Sequence, residues 1–277
     1  MTGLARVYAT LRKLAILFRR DLAVAQSYRA AFVIELFQAL LGAASFYFLS
    51  QFIASPKLTR SLPQGTSYFS FALVGVAFFD YLSIALHTFD ESLREARQNG
   101  TLENLLVTQT SLPVILAGSS LYPFALMSLR TLIYLGWGVV LFGFPVHQAN
   151  WFGALLILGA SVLSFVGLGI LSASYLLIFK RGSPVSWAII GVSSLVGGML
   201  YPVSSLPYWL QIVARLTPVT YSLEGMRAAI LGHATLGELW TSLAALLVFA
   251  AVLLPVSFAV FSWALRRTKI TGTLTHF

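Results

Sequence analysis

The sequence contains no cysteine and few charged residues. Of its 277 residues, 10% are charged and 58% are hydrophobic, and the mean hydropathy is +0.83. Soluble domains are about 25% charged and about 45–50% apolar, so this composition excludes a water-soluble globule. The missing cysteines exclude disulfides, thiolate metal ligands and cysteine nucleophiles. Both deficits together indicate an integral membrane protein.

Motifs for nucleotide binding and for common hydrolytic chemistry are also missing. None of the four lysines follows the glycines of a phosphate-binding loop, and neither H-E-x-x-H nor G-x-S-x-G occurs. The four histidines are scattered, which argues against a metal cluster. Serines of the fourth apolar segment lie among glycines and alanines, a pattern typical of close helix packing (Ser161, Ser164, Ser172 and Ser174). We therefore expect no enzymatic activity, catalytic residue, metal or cofactor on this chain.

Six stretches are apolar and long enough to cross a bilayer as helices, which takes about 20 residues. They are Ser27–Phe52, Ser67–Thr88, Leu112–Phe144, Trp151–Phe179, Pro184–Tyr201 and Leu239–Leu265. Internal prolines such as Pro123 and Pro255 are tolerable there, because neighbouring helices satisfy the freed backbone groups. The sequence therefore predicts an all-α integral membrane protein with six transmembrane helices.

Basic residues are distributed unevenly between the two sides that these spans define. Thirteen lysines and arginines fall on the side of the termini, four fall on the other side (Lys57, Arg60, Arg215 and Arg227), and Arg130 lies within the third span. Because basic residues favour the cytoplasmic side, we expect both termini in the cytoplasm. The net charge of +9 then indicates contacts with anionic headgroups of the lipid bilayer, not with nucleic acid.

Residues 4–22 have the pattern of an amphipathic helix that lies in the membrane interface. Their apolar residues share one helical face (Leu4, Val7, Tyr8, Leu11, Leu14, Ala15, Phe18 and Leu22), and the basic residues take the opposite face (Arg6, Arg12, Lys13, Arg19 and Arg20). Two roles are open for this segment. It is either a simple membrane anchor or a helix that packs beside a partner subunit.

The segment between the second and third spans, Asp90–Ser111, combines charges with leucines that complete no span. Arg94 is spaced for helical contact with Asp90 and Glu91, so the second span is predicted to continue into the cytoplasm as a helix. Gly100 is predicted to end this helix, and a short second helix then exposes three leucines (Leu102, Leu105 and Leu106). Such a stub suits docking in the groove of another protein; the alternative is a solvated turn.

The segment Tyr201–Glu238, which leads from the fifth span to the sixth, is too polar to span the membrane and too apolar for a solvated loop. It is predicted to form two short helices, Tyr208–Leu216 and Thr220–Leu231, with Pro218 closing the first. We predict a hairpin that re-enters the outer leaflet; the alternative is a lid on the membrane surface. The residues expected to shape it are Pro207, Trp209, Pro218, Tyr221 and the pair Glu224 and Arg227, spaced for contact on one helix face.

Three ionisable residues lie inside predicted spans, where charges are costly and suggest a function. Glu35 and Asp80 lie at similar depths, roughly 12–15 Å from the cytoplasmic ends of their spans at 1.5 Å per residue. Either acid is placed to pair with a cation such as Arg130 or to face an inner cavity. Structural pairing and contact with substrate or protons are therefore both open.

These features, in their order along the chain, resemble the membrane permease subunits of type-2 ABC exporters, a family that includes bacterial drug, lipid and polysaccharide exporters. Three stretches carry the resemblance: RQNGTLENLLVTQTS (97–111), FKRGSPVSW (179–187) and YPVSSLPYWLQIVARLTPVTYSLEGMR (201–227). The first is similar to the family's G-T-L-E-x-L-L run before the third span. The last is similar to the family's succession of a proline, W-L, P-x-T-Y and E-x-x-R.

The resemblance implies one permease domain, residues 1–277, in the bacterial inner membrane. Its parts would be an interfacial helix (1–26), spans 1 and 2 (27–88), a cytoplasmic coupling segment (89–111), spans 3–5 (112–203), an outer re-entrant hairpin (204–236), span 6 (237–265) and a cytoplasmic tail (266–277). A homodimer would bind two separately encoded ATPase subunits, which would hold ATP and magnesium. The contacts with those subunits would map to Arg94, Arg97, Gln98, Asn99, Gly100, Thr101, Leu102, Glu103, Leu105 and Leu106.

The resemblance also implies a pathway between the two permeases, lined by spans 1, 2 and 5 and closed outside by the hairpin. An amphipathic substrate, such as a drug, a lipid or a lipid-linked molecule, would enter from the cytoplasm or the inner leaflet. A polysaccharide or glycolipid exporter of the same family is the alternative. An ion-coupled secondary transporter that uses Glu35 or Asp80 is less favoured. Such a transporter would not need a docking segment, and inverted repeats, which many of these transporters have, are not visible in this sequence.

Overall fold

The computed structural model describes most of the chain. The described residues are 12, 13, 15, 16, 18, 19, 22, 29–52, 62, 66–98, 112–147, 149–179, 184–232 and 234–270. Within these ranges the ordered elements are helices, and no strand occurs. They are α1 (Arg29–Phe52), α2 (Tyr68–Gln98), α3 (Leu112–Phe142), α4 (Trp151–Phe179), α5 (Pro184–Val196), a 3₁₀ turn (Val203–Ser205), α6 (Tyr208–Arg215), α7 (Pro218–Ile230) and α8 (Leu236–Ile270).

Four helical stretches among the described residues are long and apolar enough to cross a membrane. They are Tyr68–Arg94, Ser120–Phe142, Trp151–Phe179 and Leu236–Thr268. Two further apolar stretches, Leu36–Phe52 and Pro184–Val196, are shorter. The predicted all-helical membrane architecture is therefore confirmed, whereas the count of six crossings stays a prediction.

The fifth predicted span, Pro184–Tyr201, is wrong in its helical extent. Helix α5 ends at Val196 after 13 residues, because Gly197 and Gly198 follow and Gly198 adopts a φ of +80°. A positive φ is readily available to glycine and terminates a helix. The five residues from 197 to 201 are non-helical, and their carbonyl groups need partners other than helical amides.

Helix α2 occupies the centre of the bundle. It packs against α4, α3, α7 and α1, and 78% of its most apolar stretch is buried, compared with 17% for α8. Leu73, Leu82 and Leu86 on α2 have no exposed surface. In contrast, α8 packs along α4 and exposes apolar side chains such as Val248 and Val252 on its other side. Uncovered apolar surface of this kind suits contact with lipid.

The close approach of α2 and α4 depends on a glycine. A Cβ atom added at Gly169 of α4 would overlap the carbonyl oxygen of Ala85 and the ring of Phe89 on α2. Small residues at helix crossings allow backbones to approach closely in membrane bundles. The lack of a side chain at Gly169 therefore allows α4 to pack this closely against α2.

The described residues of the predicted interfacial segment are helical. Arg12, Lys13 and Arg19 are exposed, and the ring of Phe18 lies 6.3 Å from that of Tyr122 on α3. This segment therefore touches the bundle through an aromatic residue of its predicted apolar face. The choice between a membrane anchor and a contact with a partner subunit stays open.

Candidate functional site

Polar contacts cluster at the two ends of α2. We call the end near Phe71, where α6 and α7 lie, the hairpin end. We call the opposite end, which leads from Gln98 into residues 99–111, the loop end. The hairpin end holds Arg215, Glu224 and Arg227, and the loop end holds Asp90.

Both short helices of the predicted hairpin form, with shifted boundaries. Helix α6 starts after Pro207 and ends at Arg215. Pro218 was predicted to close this helix, but it is the first residue of α7, and Thr217 precedes it in an extended conformation. Proline suits the first helical turn because the amide that it lacks has no partner there. The prediction for Pro218 is therefore wrong.

The two short helices differ in their surroundings. Helix α6 exposes an apolar face that includes Trp209, with 65% of its surface accessible, and Ile212, with 50%. Helix α7 is mostly buried and packs against α4, α8 and α2. The hairpin thus has one half built into the bundle and one half that lies on it.

Arg227 of α7 ties three segments together at the hairpin end. Its Nη1 and Nη2 atoms donate to the carbonyl oxygens of Gly198 and Met199, each at 2.7 Å. Its Nε atom donates to the Phe71 carbonyl at 3.2 Å, and its guanidinium carbon lies 3.5 Å from the Phe71 ring centroid. A Cβ at Gly75 would overlap both the Met199 carbonyl and this guanidinium. Arg227 therefore joins α7 to α2 and to the non-helical stretch after α5.

Burial and charge act on Arg227 in opposite directions. Burial lowers the pKa of its guanidinium, and the charge of Glu224 raises it. Arginine keeps its proton in proteins, so the side chain remains a cation that donates to carbonyl groups. The positive charge is spread over the three carbonyl dipoles and the face of the Phe71 ring.

Glu224 pairs with Arg215 and not with Arg227. The Glu224 Oε2 atom lies 2.5 Å from Nη1 of Arg215, which is the last residue of α6. Arg215 also lies over the ring of Tyr221, 5.6 Å from its centroid. The spacing of Glu224 and Arg227 was therefore misleading, because Arg227 points into the bundle whereas Glu224 reaches the neighbouring short helix. Arg215 was not singled out from the sequence, and no local pattern identifies it.

A cavity of about 510 Å³ opens at the hairpin end. The hairpin charges Arg215, Glu224 and Arg227 line it together with Gln211 and Ser204. Its apolar lining includes Leu62, Phe71, Val203 and Leu231. The cavity thus combines hydrophobic walls with three ionisable groups.

Asp90 forms the polar contact at the loop end. Its Oδ2 atom accepts a hydrogen bond from the Ser186 hydroxyl of α5 at 2.6 Å. The Ser172 hydroxyl of α4 has two acceptors in reach for its one proton, the Ser186 oxygen and Oδ2 of Asp90, which is 3.3 Å away. Its Oδ1 atom is buried and has no hydrogen-bond partner. Although the sequence places Asp90 in a cytoplasmic segment near Arg94, only 6% of its surface is exposed. The packed part of α2 therefore extends past the predicted end of the span at Thr88.

Most of the predicted ATPase contacts lie outside the described residues. Helix α2 continues to Gln98, as expected for a span that extends beyond the membrane. The Arg94 side chain is exposed, whereas the side chains of Arg97 and Gln98 are not described. The remaining predicted contacts lie outside the described residues altogether (Asn99, Gly100, Thr101, Leu102, Glu103, Leu105 and Leu106). Docking through this segment stays a prediction.

The intramembrane charges lie on α1, α2 and α3. Asp80 lies on α2 and Arg130 on α3, and no direct ion pair joins them among the described residues. Tyr134 follows Arg130 by one helical turn, and its ring lies against Gly42 of α1. Glu35 belongs to α1, and its side chain is not described. Whether these acids are structural or take part in transport stays open.

Within the described part of the chain, no group of three or more histidines and acids is placed to hold a metal ion. The described residues instead form a helical membrane bundle whose polar contacts join helices to one another. A buried hydroxyl also joins two helices, because Ser164 of α4 donates to the Leu246 carbonyl of α8 at 2.8 Å. These features define a helical membrane protein with several candidate spans.

Comparison with known proteins identifies the family. Residues 12–231 match the ABC-2 type transporter family, and the chain belongs to it. It is 28% identical over 178 residues to the probable multidrug ABC transporter permease YbhR of Escherichia coli K12, a match that covers 61% of this chain and 46% of YbhR. The inner membrane transport permease YadH of Escherichia coli K12 is 25% identical over 214 residues, which cover 73% of this chain and 75% of YadH.

A third relative is the linearmycin resistance permease protein LnrN of Bacillus subtilis strain 168. It is 24% identical over 165 residues, which cover 58% of this chain and 41% of LnrN. This chain therefore spans less than half the length of YbhR and LnrN. The family membership confirms the resemblance carried by the sequence motifs.

Proposed function

We propose that this chain is the transmembrane permease subunit of an ATP-driven ABC exporter. Two copies would form the pathway, and two separately encoded ATPase subunits would bind ATP and magnesium. The family membership supports this assignment, as do the names of YbhR, YadH and LnrN, which are permeases. The distribution of basic residues supports six crossings with both termini in the cytoplasm.

The observation that carries the mechanism is the continuity of α2. This helix runs without interruption for 31 residues, from the hairpin end to Gln98 within the coupling segment. Along the way it contacts Arg227 at one end and Ser172 and Ser186 at the other. A displacement of the coupling segment by the ATPase subunits would therefore reach α4, α5 and α7 through one rigid element.

Coupling requires that the ATPase subunits favour one conformation of the permease over another. A bound partner shifts a conformational equilibrium only by its difference in affinity for the two states. The docking stub 101–106 is where this bias would enter, and the hairpin end is where it would open or close the pathway. An amphipathic drug, lipid or lipid-linked molecule suits entry from the inner leaflet, and a polysaccharide or glycolipid is the alternative cargo.

The decisive experiment replaces Leu102 and Leu106 with aspartate and measures which subunits co-purify. Burying one leucine is worth about 1.5–3 kcal/mol, and a charge at each position removes that gain. We expect the double variant to extract and run normally in detergent, but to lose the ATPase subunits and export. The matched control is Ile212→Asp with Leu216→Asp. Ile212 lies in α6 and Leu216 directly after it, both are exposed at the hairpin end, and this variant should retain the ATPase subunits.

Two results would contradict the proposal. Full export by the Leu102 and Leu106 variant would mean that residues 101–106 form only a solvated turn. Purification of the unaltered chain without any ATPase, together with transport driven by an ion gradient, would support a secondary transporter instead.

A further inference from the structure

The cavity at the hairpin end has the size and the lining of a ligand site. Its volume of about 510 Å³ lies within the roughly 300–1,000 Å³ range of small-molecule pockets, which are mostly apolar with a few placed polar groups. Leu62, Phe71, Val203 and Leu231 supply apolar walls from four separate segments of the chain. A ligand with an apolar body would therefore contact several segments at once.

The charges of the cavity are not balanced. Arg215 and Glu224 form an ion pair whose side chains are 48% and 38% exposed, so these two charges neutralise each other at the mouth. Arg227 lies deeper, with only 7% of its surface exposed, and no acid pairs with it among the described residues. The three ionisable groups therefore leave one net positive charge on the cavity wall.

Arg227 also has unused hydrogen-bonding capacity. A guanidinium carries five N–H groups, and three carbonyl oxygens accept one bond each from Arg227. The described residues provide no acceptor for the other two N–H groups. A buried donor without an acceptor is unfavourable, and a guanidinium fork is shaped to bind a carboxylate or a phosphate.

We propose that this cavity binds an amphipathic anion, with a carboxylate or phosphate head and an apolar body. The head would bind Arg227 and compete with Glu224 for Arg215, and the body would lie against Phe71 and the other apolar walls. This site goes beyond the proposed transport function, and its occupancy does not depend on ATPase subunits. The ligand is either a lipid of the bilayer or a free amphiphile, since both offer the same head chemistry.

The absence of cysteine makes a labelling experiment direct. Ser204 lines the cavity and is exposed, so Ser204→Cys should react with a maleimide in the purified, detergent-solubilised chain. Dodecyl phosphate should slow that reaction. Ser205→Cys is the matched control, because Ser205 is adjacent and exposed but lies outside the cavity lining. Dodecyl trimethylammonium has the same apolar body but a positive head, so it tests the need for a negative charge. Inorganic phosphate has the negative head but no apolar body, so it tests the need for that body.

Two charge variants in the Ser204→Cys background give opposite expected signs. Glu224→Gln removes the internal competitor for Arg215, so dodecyl phosphate should bind up to about five-fold more tightly. Arg215→Gln removes one cation and should weaken binding by a similar factor. Both residues are partly exposed, so neither change threatens the fold.

The outcomes separate clearly. Protection of position 204 but not 205 by dodecyl phosphate, with the two opposite shifts, supports the site. Three results would overturn the proposed site. They are equal protection of positions 204 and 205, equal protection by dodecyl trimethylammonium or by inorganic phosphate, and unchanged affinity for dodecyl phosphate in both charge variants. With the site supported, nanodiscs of phosphatidylglycerol and of phosphatidylcholine distinguish the sources. Protection in phosphatidylglycerol nanodiscs identifies a membrane lipid. Labelling in both kinds of nanodisc as fast as in detergent without dodecyl phosphate identifies a free amphiphile.

Discussion

Replacing Arg227 with methionine removes the cation that joins α7 to α2 and to the end of α5. Methionine retains much of the length and volume of the side chain but donates no hydrogen bond. The carbonyl oxygens of Phe71, Gly198 and Met199 then lose their donor. The Phe71 ring also loses the guanidinium that lies 3.5 Å from its centroid.

The size of the effect follows from these contacts. A buried polar group left without its partner costs about 1–3 kcal/mol, and a desolvated cation–π contact is worth about 0.5–2 kcal/mol. With partial relaxation of the three carbonyls, we expect a loss of about 3–6 kcal/mol. At roughly 2–4 °C per kcal/mol for a chain of this size, the melting temperature should fall on the order of 10 °C.

Thermal unfolding of the detergent-purified chain, followed by the loss of monodisperse protein, measures this change. Arg215→Met is the matched control, because Arg215 is half exposed and its ion pair is worth at most about 1 kcal/mol. Arg227→Lys should be intermediate, since one ammonium cannot reproduce the planar fork. If Arg227→Met melts within 3 °C of the unaltered chain, the reasoning is refuted. The same holds if Glu224→Gln is equally damaging, because Glu224 would then be the real partner of Arg227.

Two further predictions use pairs of positions on one helix. Gly169→Ala should lower the melting temperature by several degrees, because the added methyl group overlaps α2, whereas Gly159→Ala, which meets open space, should leave it unchanged or slightly raised. Ser186→Ala removes the 2.6 Å donor to buried Asp90 and should cost about 1.5–3 kcal/mol. Ser194→Ala is its control, because it removes only a hydrogen bond within α5 and should leave the stability nearly unchanged. Equal melting temperatures of the two variants in either pair would contradict the packing described here.

Composition and hydropathy are sufficient to predict the helical membrane bundle, since an apolar stretch of about 20 residues has few other stable conformations in lipid. The pairing of polar residues is different. Spacing along one helix shows that Glu224 could reach Arg227 and that Asp90 could reach Arg94, but it does not show which face the bundle covers. In the structure, Arg227 and Asp90 both face the bundle and bind groups distant in sequence. Those partners depend on tertiary packing, which a single sequence does not contain.

Proline and glycine residues also leave the positions of helix ends ambiguous when only the sequence is known. Pro218 stands between two short helices, and either closing the first or opening the second agrees with its chemistry. The extended Thr217 selects the second possibility. The Gly197–Gly198 pair is visible in the sequence as a helix breaker, but the hydrophobic run through it favours a longer span. Hydropathy alone therefore overestimates α5.

The short length of α5 explains why the hairpin is polar where it meets the bundle. Thirteen residues extend about 20 Å as a helix, less than the roughly 30 Å apolar core of a bilayer. The non-helical residues after Val196 carry carbonyl groups that have no helical amide as partner, and a buried carbonyl without a partner is costly. Tyr201 donates to the Leu195 carbonyl, and Arg227 donates to the next two carbonyls that follow Gly197. Helix α7 therefore provides hydrogen-bond donors for the backbone that follows α5, and a rearrangement of the hairpin must also change that end of α5.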